Sequence, residues 1–102
     1  MTDQPNRDPK LEEEFYKRAD SIIELANRMA DTAERGRVGG SLMFASTRFN
    51  TWISASGFRS GEEMASKRAE TVAYFLEGYR QMLELNFDQY VENFDAYMKP
   101  KG

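Results

Sequence analysis

The chain contains no cysteine and no histidine. Without cysteine there is no disulfide, no thiolate nucleophile and little scope for a structural zinc site. That absence fits a reducing compartment. Without histidine there is no Ser-His-Asp triad, no His-ligated metal and no side chain with an unperturbed pKa near neutrality. Only carboxylate and tyrosine acid–base chemistry is left to an enzyme. The expectation is a non-enzymatic protein with no cofactor. Long apolar runs are missing as well: nothing approaches the roughly 18–20 residues that cross a bilayer. The opening MTDQPNRDPK is polar and lacks the apolar segment of a signal peptide, so a cytoplasmic protein without membrane contact is expected. A basic excess is also lacking. With 14 Lys plus Arg against 17 Asp plus Glu, the net charge is −3, which disfavours a general nucleic-acid binder.

A further lack is local. No acidic residue lies between Glu34 and Glu62, and from Val38 to Phe58 the only charge is Arg48. The flanking segments are dense in charge, so this stretch reads as a buried central helix. The whole chain, at 102 residues with 40 % hydrophobic and 30 % charged positions, reads as one globular domain. Residues 1–7 and 99–102 are polar tails, and 8–98 form the domain.

Asp8-Pro9 is a helix start: Asp8 can accept from free backbone N–H groups and proline suits the first helical position. The first helix is predicted over Pro9–Glu34, with the stripe Phe15, Ala19, Ile22, Ala26, Met29 and Ala33 at alternating steps of four and three. Arg35 and Gly36 end it, the glycine supplying a positive φ. The short connection 36–40 implies an antiparallel second helix over Gly40–Ser56, capped by Gly57. Its stripe is Val38, Leu42, Ala45, Phe49, Trp52 and Ser56, while Phe44, Thr51 and Ala55 fall on the other side. Those are poor residues for a solvated face.

Ser60-Gly61-Glu62-Glu63 matches a capping box. From Ala65 to Tyr97 one apolar direction persists through Val72, Leu76, Tyr79, Leu83, Phe87, Tyr90 and Phe94. Two arrangements fit: one helix from Gly61 to Met98, about 55 Å long at 1.5 Å per residue, or a break with Asn86 capping a fourth helix. Typical helix lengths favour a break. The fold expected is therefore an all-α bundle of three long antiparallel helices, the last kinked or split near Asn86.

Several groups of residues bear on chemistry. Arg35, Arg37, Gly39, Gly40 and Ser41 lead into the second helix, where free N–H groups and two arginines could hold a phosphate or carboxylate; Arg48 could assist. The plainer reading is a turn with solvated arginines, and Arg48 paired with an acid of the third helix. From Glu62 to Asp95 that segment has eight acids and three bases. Trp52, Tyr74, Phe75, Tyr79, Phe87, Tyr90, Phe94 and Tyr97 read first as core. Asn50, Asn86 and Asn93 read as caps or core hydrogen bonds. Glu63/Glu70 and Glu77/Glu84 read as a solvated face, because no Glu-x-x-His metal motif can be assembled without histidine.

The words LMFASTRFNTW and YFLEGYRQMLELNFDQYVENFDAY carry Ala45-x-x-Arg48-Phe49-Asn50 and Tyr79-x-x-Met82-Leu83-x-x-Asn86. Through them the chain resembles, over about Phe15–Tyr97, a family of small uncharacterised all-helical bacterial proteins, a domain of unknown function. The resemblance implies a bacterial source and carries over no activity, cofactor or catalytic residue.

Geometry supplies the functional expectation. A second helix about 25 Å long at 1.5 Å per residue cannot cover an apolar stripe nearly twice that length. Phe87, Tyr90, Phe94 and Tyr97 then fold back over the bundle or meet another chain, with Met43, Phe44 and Phe75 as further contacts. The expected partner is a second copy, or another protein. The alternative is an anion or small-ligand binding module at the start of the second helix.

Overall fold

The computed structural model describes residues 8–99. The tail read over 1–7, and all of the tail at 99–102 except Lys99, lie outside the described residues. The chain divides into two units, Met1–Ser54 and Ala55–Gly102. Among the described residues all regular structure is helical: α1 (Pro9–Met29), α2 (Arg35–Ala55), α3 (Gly61–Ser66), α4 (Arg68–Glu92) and α5 (Phe94–Met98).

In the first unit, α1 starts as its sequence dictates. The Asp8 carboxylate accepts from the Lys10 N–H at 2.9 Å, with Pro9 in the first turn. The helix ends five residues before the expected Glu34. Its last bonds tighten to i→i−3, Asp31 N–H to Arg28 C=O and Thr32 N–H to Met29 C=O, both at 3.2 Å. The Thr32 hydroxyl also reaches the Met29 carbonyl at 3.5 Å, the kind of competition that disfavours threonine inside helices.

The start of α2 corrects the sequence reading. Residues 36–40 are the beginning of the helix, not a connection; the connection is 30–34. The Glu34 carbonyl accepts from the N–H groups of Arg37 and Val38 at 3.0 and 3.1 Å. The Glu34 carboxylate takes the Arg37 Nε–H at 3.4 Å. No described glycine has a positive φ, so neither Gly36 nor Gly57 makes the left-handed turn expected of it. Glycine costs a helix about 1 kcal/mol relative to alanine but does not forbid it. Extending an existing helix by a turn carries no new nucleation cost. Within this unit α1 and α2 do not pack along their lengths.

In the second unit the capping box forms with one change of partner. The Ser60 hydroxyl accepts from the Glu63 N–H at 3.1 Å, while the Glu63 carboxylate takes the N–H of Arg59, at 2.7 Å, instead of that of Ser60. The Arg59 guanidinium adds bonds at 3.4 and 3.5 Å. Replacing Ser60 by alanine is expected to cost about 1 kcal/mol, read by denaturant melting. The Arg59 backbone bond, then its guanidinium, holds the Glu63 carboxyl below the usual carboxylate range. A lowered folded-state pKa contributes stability above the unfolded pKa and loses it as pH falls through the folded one. Hence α3 amides should lose exchange protection on acidification through and below the ordinary carboxylate range, and Glu63→Gln should remove that dependence.

The long third element breaks at Lys67 and at Asn93, not at Asn86. At Lys67 the helical ladder is interrupted. The Ser66 hydroxyl occupies the Glu63 carbonyl at 2.6 Å, the acceptor that Lys67 would use in an unbroken helix. The Lys67 N–H turns to Met64 C=O at 3.1 Å. Asn86 sits inside α4, its side-chain amide donating to the Met82 carbonyl at 2.9 Å. Asn93 makes the same bond to Gln89 at 2.9 Å, yet its backbone leaves the helix at φ −115°, ψ 28°. The shared bond therefore does not by itself break a helix. Consecutive elements α3/α4 and α4/α5 touch across these single-residue turns.

Candidate interaction surface

No described residue is buried. Val38, Phe58 and Met64 are half-covered; every other described Leu, Ile, Val, Met, Phe, Tyr and Trp is exposed. The aromatic series expected to form the core does not do so. Tyr74 is 74 % exposed, Trp52 68 % and Phe87 66 %; even Phe75 reaches 37 %.

The C-terminal part of α4 and α5 carries the clearest apolar surface. Phe87, Tyr90, Val91, Phe94 and Met98 line a shallow hollow. The Tyr90 and Tyr97 rings meet across the Asn93 turn, centroids 4.7 Å apart and planes at 58°. The turn thus holds the aromatic surface together across the break. On α2, Phe49 and Trp52, one helical turn apart, stack at 6.4 Å and 27°. Met43 and Phe44 are exposed on the same helix.

A polar feature flanks the α4 stripe. Arg80 grips Glu77 twice, Nη2 to Oε2 at 2.6 Å and Nε to Oε1 at 3.1 Å, and reaches Glu84 Oε2 at 2.7 Å. Gln81 adds a bond to Glu77 at 2.8 Å. Arg80, then Gln81, holds the Glu77 carboxyl below its ordinary range, and Glu77 with Glu84 pushes the guanidinium pKa up. The sequence reading placed Glu77 and Glu84 on a solvated face but missed the arginine between them. Its signal was present: acids at i−3 and i+4 from Arg80 share one helix side. Among the described residues no cluster of acids could hold a metal.

The residues proposed for anion binding are not gathered in a loop. Arg35, Arg37, Gly39, Gly40 and Ser41 occupy the first two turns of α2. The Arg37 side chain already pairs with Glu34. Arg48 is exposed and makes no ion pair among the described residues. Among the described residues no helix is long and apolar enough to cross a membrane.

The chain belongs to DUF3144, a family described as a protein of unknown function, and residues 15–91 carry the match. A solved structure from the same region of fold space is the NMR structure of the protein NB7890A from Shewanella sp. It is 33 % identical, aligns over 99 % of this chain and 100 % of its own, and superposes with a TM-score of 0.71. The chain has no significant match among curated proteins.

Proposed function

We propose that this protein is a non-enzymatic structural or interaction module that self-associates through its aromatic helix faces, most simply as a homodimer in the cytoplasm. The observation that supports this reading is the exposure of nearly every large apolar side chain on α1, α2, α4 and α5. Burying one such side chain is worth roughly 1.5–3 kcal/mol. Helices of this length are marginal in water without an apolar face to bury. In the assembled protein the α4–α5 aromatics meet the second copy. Net charge and the acids of α4 favour a protein partner over a nucleic acid.

The alternative, an anion or small-ligand module at the start of α2, has less behind it. Its glycines lie inside a helix and one of its arginines is engaged by Glu34. The deciding measurement is sedimentation equilibrium at tens of micromolar. Twice the chain mass is expected; a monomer throughout that range counts against self-association.

A further inference from the structure

We infer that two copies of the chain pair parallel and in register along α4, the side-chain amide of Asn86 in one bonded to that of Asn86 in the other. This rests on the self-association reading and names the helix that meets its own copy.

The seam is written in α4. From Val72 to Tyr90 the positions on one side advance by alternate steps of four and three, through Leu76, Tyr79, Leu83 and Asn86. Asn93 and Tyr97 keep the same register into α5. A seven-residue repeat held this long is the pattern of a helix that winds along another in a coiled coil. At about 100° per residue, Glu70, Glu77, Glu84, Asp88 and Glu92 lie about 120–160° from the middle of the seam. Two seams therefore meet without setting acid against acid. Arg80 flanks the seam but is already engaged by Glu77 and Glu84.

Asn86 chooses the occupant. An asparagine amide offers two N–H donors and a carbonyl acceptor. One of those donors goes to the Met82 carbonyl at 2.9 Å. A donor and the acceptor are left on a mostly apolar line. Covered by an apolar stripe, both would lose water and gain no partner. The long helices of the first unit bring no amide of their own to such a contact: Asn27 on α1 and Asn50 on α2 each lie about 120° round the helix from its apolar stripe. A second α4, parallel and in register, brings an identical amide to the same level, and the two exchange donor and acceptor. Sliding one helix by a single seam step sets Asn86 against leucine or tyrosine instead. One polar residue in an apolar seam is how coiled coils fix register and strand number, at a cost in stability. Asn93 stands in the same state, its amide on the Gln89 carbonyl at 2.9 Å, and meets its own copy one heptad on.

The native chain has no cysteine, so single cysteines in the full chain report the pairing. A disulfide needs Cα atoms about 4–7 Å apart, which a parallel seam supplies between identical positions. At equilibrium with reduced and oxidised glutathione, Asn86→Cys is expected to hold at least about tenfold more covalent dimer than Asp88→Cys, on the far side of the helix. Circular dichroism accompanies each measurement; should Asn86→Cys lose helicity, Leu83→Cys, one step back on the seam, replaces it under the same criterion. If the native chain sediments as a monomer, the self-association reading fails and this inference with it. If the native chain dimerises but the seam cysteine links no more than Asp88→Cys, the parallel pairing is overturned and self-association stands. A second readout needs no thiol. Asn86→Leu should melt no lower than the native chain and sediment partly above the dimer mass, strand number being no longer fixed. An Asn86→Leu chain that stays strictly dimeric overturns the amide pair.

Discussion

A chain carrying Leu83→Asp and Phe87→Asp is expected to sediment as a monomer where the native chain is a dimer, and to lose a large part of its helical signal. Both residues lie on the continuous α4 stripe, exposed by half or more in the isolated chain, and the ring of Phe87 lines the α4–α5 hollow. Covering each side chain contributes roughly 1.5–3 kcal/mol. Placing a carboxylate in a dry contact costs more, since an unpaired charge there has lost its water. Together the changes remove at least about 3–6 kcal/mol, or two to four orders of magnitude in dissociation constant. The comparison is Lys17→Gln on α1, which breaks an exposed pair with Glu13 at 3.5 Å. Such pairs are worth about 0–1 kcal/mol, so association should be unchanged. A double variant that still dimerises with native affinity would place the interface elsewhere and remove the main support for an aromatic contact.

The starts of α1 and α3 were legible because capping is local. Asp8, Pro9, Ser60 and Glu63 act within four residues of one another, and their side chains bond where the sequence says they should, apart from the shift of Glu63 to Arg59. The helix ends were not legible. Asn86 resembles a cap in sequence, but its amide is equally satisfied by the carbonyl of Met82 four residues back, and the helix runs on. At Lys67 the backbone N–H turns to the carbonyl of Met64 instead of that of Glu63, a local shift that apolar spacing does not register. The glycines at 36, 39 and 40 were read as punctuation, yet their low propensity is a cost that a helix can carry. This last error matters for function. It lengthens α2 to 21 residues beside 25 for α4, so the length mismatch expected from the sequence narrows. The case for association then rests on exposed side chains instead of on unequal rods. Which aromatics share a helix face could be read from spacing. Whether the chain covers that face itself could not, because burial depends on contacts remote in sequence.

Replacing Gly36, Gly39 and Gly40 together by alanine is expected to stabilise the protein. All three are helical, none has a positive φ, and a Cβ at any of them meets nothing within 4 Å. Alanine in such positions gains about 0.5–1 kcal/mol each by restricting the unfolded chain, so the triple change should contribute roughly 1.5–3 kcal/mol. For a domain of this size that corresponds to a Tm higher by about 6–24 °C at 4–8 °C per kcal/mol. The dimer constant should be nearly unchanged, because the association proposed above runs through the α4–α5 aromatics, which belong to the other unit of the chain. Thermal melting and sedimentation of the same variant separate the possibilities. A higher Tm with native association agrees with an open first two turns of α2. A lower Tm with weakened association would mean that a second chain approaches these glycines closely, in the way backbone contact demands residues without a side chain. The contact surface would then extend to the start of α2.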